Sequence, residues 1–147
     1  MKYWTPDKLL TFPPDRALLI ATNDALGTSL HPDYVVVGEV YDVQGNLAKV
    51  DITSRTVEPN SLEQRFANKG FVTIDRMDIS DFFDGSFTIE YSGVISSKDV
   101  ARIISDSTGI LFDDRDFMET LITPQSNKLV VSPRSLRWMG ELTIVPA

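Results

Sequence analysis

The stretch Leu18-Leu19-Ile20-Ala21-Thr22-Asn23-Asp24-Ala25-Leu26-Gly27-Thr28-Ser29-Leu30-His31-Pro32-Asp33-Tyr34-Val35-Val36-Val37 carries a helix, its stop and the start of a strand. Pro13-Pro14 precedes it, and a proline suits the first helical turn, where its missing N–H is not needed, so the helix begins near Pro14. Gly27 ends it by taking the left-handed conformation after the last turn. Beyond Pro32, Tyr34 to Tyr41 and Ala48 to Thr53 are rich in β-branched and aromatic residues and flank Gln44-Gly45-Asn46. That composition predicts a β-hairpin.

Further along, residues 58–70 are polar and loop-like with a possible helical turn at their centre. Phe71 to Asp75 reads as a strand, Ile79 to Gly85 as a short turn or helix, and Ser86 to Tyr91 alternates like a strand. At Ser96-Ser97-Lys98-Asp99 the order begins again with a capping box, and Val100, Ile103 and Ile104 share one face of a second helix that stops at Gly109. Strands around residues 117–123, 128–131 and 141–145 follow, with the knot Leu136-Arg137-Trp138-Met139-Gly140 between the last two.

A duplication should keep a constant offset within each aligned block. The offset from Gly27 to Gly109 also pairs Asp24 with Asp106, Leu30 with Phe112 and Val35 with Phe117. The shorter offset from Gly85 to Gly140 pairs Phe83 with Trp138, Ser80 with Ser135, Thr88 with Thr143 and Ile89 with Ile144, so the second copy is shortened in its middle. The expected fold is α+β: two degenerate copies of a helix followed by an antiparallel β-hairpin or meander, packed as one compact body. Its parts are an N-terminal arm (1–15), a first repeat unit (16–95) and a second, shortened one (96–147).

The 147 residues include 42% hydrophobic and 24% charged ones, the balance of a chain that folds rather than one that stays disordered. A globule of this length buries roughly 70% of its unfolded surface. With 21 acidic against 14 basic residues, a net charge of -7 repels phosphate and gives no footprint for non-specific nucleic-acid binding. The absence of cysteine removes disulfides, thiolate zinc sites and cysteine nucleophiles. No signal peptide is read at the start, and the apolar runs fall far short of the roughly 20 residues of a membrane helix, so a soluble protein is expected.

Candidate chemistry is sparse. His31, the single histidine, sits beside Pro32 with nothing to complete a metal or nucleophile site, which makes it a solvated loop residue. Asp113-Asp114-Arg115-Asp116 lacks the acid spacing and glycine of a calcium loop, and Asp78, Asp81 and Asp84 read as a rim around Phe82 and Phe83. Arg102, Arg115, Arg134 and Arg137 are expected to pair with nearby carboxylates. No nucleophile elbow, phosphate loop, zinc-protease motif or dinucleotide fingerprint is present, so no enzyme, cofactor, metal or small-molecule substrate is expected. A hydrolase using two dispersed carboxylates is the one enzyme class that needs no local motif.

The large apolar residues of the arm, Tyr3, Trp4, Leu9, Leu10 and Phe12, lie among prolines and must dock on the chain's own core or on a neighbour. With Phe82, Phe83 and Trp138 they form the expected protein–protein contact set.

The run Leu18-Leu19-Ile20-x-x-Asn23-x-x-x-Gly27-Thr28-Ser29-Leu30-x-Pro32-x-x-Val35 resembles the opening of a small repeat domain of virion structural proteins of large tailed bacteriophages. Arg76-Met77-Asp78-Ile79-Ser80-Asp81-Phe82-Phe83 resembles a later stretch of the same domain, so the likeness spans about residues 16–91. The second copy departs from it, with Ser107-Thr108-Gly109-Ile110 in place of the Gly-Thr-Ser-Leu run. The resemblance implies a non-catalytic particle component of the head shell or of the tail or baseplate, assembled in the host cytoplasm. Its partners would be other virion proteins or copies of itself. The competing class is a carbohydrate- or host-receptor-binding module.

Overall fold

The computed structural model describes residues 9–54 and 71–147. Tyr3 and Trp4, and the polar stretch expected at 58–70, lie outside the described residues. The chain divides into two compact units, one ending at Asp75 and one spanning Arg76–Ala147.

In the first unit, helix α1 (Pro14–Leu26) has proline in its first turn and stops at Gly27, whose φ of 66° and ψ of 30° are left-handed. Its buried residues Pro14, Ala17, Leu18, Ala21 and Thr22 recur at helical spacing, with Leu19 beside them. Strands β1 (Val35–Gln44), β2 (Leu47–Ser54) and β3 (Phe71–Asp75) form an antiparallel meander in that order. Gln44 faces Leu47, so Gly45-Asn46 is a two-residue hairpin turn, with Gly45 at φ 62°. Register shifts after Val37 and after Tyr41 mark irregularities in β1. The inward positions Val35, Val37, Ala48, Val50, Ile52, Val72 and Ile74 are buried, and Leu10 of the arm joins this core at 8% exposure.

The second unit contains β4 (Met77–Asp78), α2 (Ile79–Phe82), β5 (Ser86–Ile89), β6 (Ile95–Ser96) and α3 (Ser97–Thr108). It continues with β7 (Leu121–Ile122), β8 (Lys128–Val130), β9 (Trp138–Met139) and β10 (Glu141–Pro146). The Ser96 hydroxyl accepts a bond from the Asp99 N–H at the start of α3, and Gly109 at φ 78° ends the helix, as the capping box and glycine predicted. Val100 and Ile104 are buried, with Ile103 half-buried beside them.

The α+β class holds, and the first helix is followed by an antiparallel meander as expected. The second unit mixes parallel and antiparallel pairing. Its three-stranded sheet runs β5-β10-β8, with β10 parallel to β5 and antiparallel to β8, and β4 pairs β9 in parallel. Residues 77–89 therefore pair with residues 138–146, across the expected repeat boundary at 95/96. A parallel pair needs a long crossover, and the intervening chain with α3 supplies it.

Candidate functional site

The Asn23 side chain holds the turn between α1 and β1. Its carbonyl oxygen accepts from the Thr28 hydroxyl at 2.7 Å and from the Leu30 N–H at 2.8 Å, while its amide donates to the Leu30 carbonyl at 2.8 Å. With the Gly27 N–H donating to the Asn23 carbonyl at 2.9 Å, most of the Asn-x-x-x-Gly-Thr-x-Leu run is committed to internal bonding. The second signature stretch is used alike. Asp78 caps α2, accepting from the Ser80 N–H at 2.8 Å, and buried Arg76 donates to the Pro133 carbonyl at 3.4 Å.

An aromatic cluster surrounds Trp138. Its ring lies 5.3 Å from Phe82, 6.4 Å from Phe83 and 6.1 Å from Phe112, and Phe83 meets Phe87 edge-on at 5.5 Å. Trp138 is fully buried, so within the expected contact set it is a core residue of the second unit. The same correction applies to Leu10 in the first unit. Each is drawn inward by the apolar area it removes from water. Leu9, Phe12, Phe82 and Phe83 are half-buried. The outward sheet face of the first unit carries side chains that the contact set did not include. Phe71 is 52% exposed with the Lys49 ammonium 4.8 Å above its ring, and Tyr41 donates to the Asp51 carboxylate at 2.7 Å.

The second unit also contains a cleft of about 540 Å³. Lys98, Arg102 and Ser105 of α3 line one side, and Phe112, Asp113 and Phe117 of the following loop line the other. Arg134 contributes from the loop after β8. Phe112 and Phe117 meet edge to face at 4.9 Å.

Beneath these loops Asp116 is fully buried, as are Ser135 and Arg137. One Asp116 carboxylate oxygen accepts from the Ser135 hydroxyl at 2.7 Å, the other from the Asp113 N–H at 2.9 Å, and the Asp116 carbonyl accepts from the Ser132 N–H at 2.9 Å. The Ser135 oxygen itself accepts from the Trp138 N–H at 3.0 Å. Burial and the neighbouring Asp113 charge push the Asp116 carboxyl up to about 7, while the Asp113 N–H, Ser135 and Arg137 pull the other way. Burial also lowers the Arg137 guanidinium, against the attraction of Asp116 and Asp113.

A model built from one protein family matches residues 8–145, which is nearly the whole chain. The chain belongs to a family of unknown function, DUF7941. No curated protein and no solved structure matches it.

In this DUF7941 chain, the acidic run weighed as a cation loop turns Asp116 inward and keeps Asp113 half-buried at the cleft wall. Asp113 accepts from the Arg115 N–H at 2.9 Å, and Asp116 serves the buried loops. Among the described residues no group of three His, Cys, Asp or Glu is placed to hold a metal ion, and no helix is long and apolar enough to cross a membrane. His31 lies in an exposed loop, where its Nδ1 accepts from the Asp33 N–H at 3.1 Å. Arg102 pairs with Asp99 at 3.4 Å on the surface of α3. The reading of the sequence missed the Asp116–Ser135 link, because its partners are 19 residues apart and no local spacing announces it.

Proposed function

We propose that this chain is a non-catalytic structural component of a bacteriophage virion, an accessory protein of the head shell or of the tail or baseplate, acting through protein–protein contacts. The observation that carries the reading is the use of the two signature stretches. Asn23, Gly27, Thr28 and Leu30 lock a helix to a strand, and Asp78 caps the next helix, so the residues behind the resemblance act as scaffold. A signature made of scaffold residues suits a domain kept for its shape and presented in many copies. The described side chains open to contact include Phe71, Tyr41 and Leu47 of the first unit and Leu121 and Met118 of the second, and Phe82 and Phe83 are half-buried. The duplication belongs to the same proposal, supported by two helices that both end on a left-handed glycine, Gly27 and Gly109.

The test is mass spectrometry of purified particles together with the solution state of the isolated chain. Recovery from the particle at a fixed copy number supports the reading. Absence from every particle, with a monomer left in the lysate, sinks it. The glycan-binding alternative is favoured by the α3 cleft, where polar walls meet Phe112 and Phe117. It predicts shifts of those two ring signals when neutral oligosaccharides are titrated.

A further inference from the structure

Strand β3 closes the first unit's meander on one side. β2 pairs with it residue for residue, from Leu47 opposite Asp75 to Asp51 opposite Phe71, without a register shift. Among the described residues, nothing forms a backbone hydrogen bond with the other edge of β3. The far strand of the sheet, β1, is instead interrupted by two register shifts, with Asp42 at a φ of 52°. An open edge presents a row of N–H and C=O groups that templates a further strand, and edges meant to stay single are blunted by bulges, prolines or lysines. Phe71-Val72-Thr73-Ile74-Asp75 contains none of these, and its three central residues are the β-branched types that favour strands.

We infer that β3 pairs antiparallel with β3 of a second copy of this chain about a two-fold axis at Thr73, joining two meanders into one continuous sheet. In that register Thr73 faces its own equivalent, Val72 faces Ile74, and Phe71 faces Asp75, so all five residues of the strand are used. Side chains alternate between the two faces of a strand, and this register keeps the faces matched. Val72 and Ile74, both buried, therefore extend the inner face of one copy into that of the other, while Phe71, Thr73 and Asp75 meet on the outer face. Whichever alternate set of β3 residues points away from β2, an axis at Thr73 places members of that set opposite one another, as antiparallel hydrogen bonding requires. No like charges face each other, and the charges that meet are complementary. The Lys49 ammonium lies 4.8 Å above the Phe71 ring, so the second copy's Asp75, opposite Phe71, comes beside it. Lys49 already pairs with Asp42 at 2.8 Å, and Asp75 already accepts from the Asn46 amide. An ammonium has three donors and a carboxylate about four acceptor sites, so both keep capacity for the added bond. The two-fold repeats that pair on the other side, as an isologous contact does. This surface is a property of the chain itself and stands whether or not a particle contains it.

Sedimentation equilibrium of the full chain from micromolar to millimolar concentration tests this, and a monomer–dimer equilibrium is expected. Thr73→Glu sets two carboxylates opposite each other across the axis, while within its own sheet the new side chain stays beside Lys49. It should weaken the dimer by about tenfold or more and keep the thermal midpoint. The chain has no cysteine, so single-cysteine variants read the register. Thr73→Cys brings two thiols together on the axis and should oxidise to a covalent dimer. In Asp75→Cys the two thiols lie about 14 Å apart along the strands, beyond the roughly 7 Å between Cα atoms that a disulfide spans, so that variant should not cross-link. A monomer at every concentration overturns the proposal, and so does a dimer that Thr73→Glu leaves equally tight. Cross-linking of Asp75→Cys as readily as Thr73→Cys also overturns it. Should Thr73→Glu fail to fold, the nearly isosteric Thr73→Cys carries the same decision: a covalent dimer under mild oxidation supports the pairing, and its absence rejects it.

Discussion

Asn23 shows how one side chain can decide a local fold. Replacing it with alanine leaves the Leu30 N–H, the Leu30 carbonyl and the Thr28 hydroxyl without their partner in a half-buried turn. Stranding such groups costs about 1–3 kcal/mol, so Asn23→Ala should lower urea stability by about that amount. Gly140 is the second position of this kind. Its φ is 87°, and an added Cβ would lie 3.1 Å from an Asp78 carboxylate oxygen. Gly140→Ala should therefore strain the backbone and disturb the cap of α2 together, lowering the thermal midpoint. A midpoint equal to the wild type's would show that the loop relaxes freely. The glycine was legible in the sequence as punctuation, but its crowding by Asp78 was not, since the two residues meet only through the parallel pairing of β4 with β9.

At the scale of elements, helix ends were the most legible features. The α3 cap at Ser96 and stop at Gly109 depend on neighbours within one turn, so local chemistry is enough to place them. Ser96→Ala is expected to cost about 1 kcal/mol by chemical denaturation. The loops around α3 behave differently, because their link through Asp116 is tertiary. The folded-state value near 7 lies above the ordinary one near 4, so between those limits the unfolded chain has lost a proton that the folded chain keeps. The contribution of Asp116 to stability is greatest below this window and falls by about 1.4 kcal/mol per pH unit as the pH rises through it. Measured against Asp116→Asn, the wild type should lose about 4 kcal/mol of relative stability between pH 4 and 7 and little more above that. A constant difference across that range would contradict the assignment.

At the scale of the whole molecule, every strand pairing among the described residues stays within its own unit. The fragment of residues 76–147 is therefore expected to fold alone, with the Trp138 indole signal of the intact chain and dispersed amide spectra. A collapsed fragment lacking that signal would mean that the first unit is needed. Surface contacts belong to this scale too. Phe71→Asp changes a side chain that is half exposed on the sheet face, so it should leave stability within about 1 kcal/mol of the wild type. If that face is used in a particle, the same variant should be depleted from purified virions.

The sequence by itself determined the α+β class, α1 and α3 with their glycine stops, the Gly45-Asn46 hairpin, and the acidic, cysteine-free character of the chain. Each rests on interactions between residues a few positions apart, or on composition alone. Tertiary structure alone decided that β10 runs parallel to β5, that Trp138 and Leu10 are core, and that Asp116 joins two loops beneath a cleft. Those outcomes depend on which distant segments exclude water from each other, and in this sequence neither periodicity nor spacing carries that information.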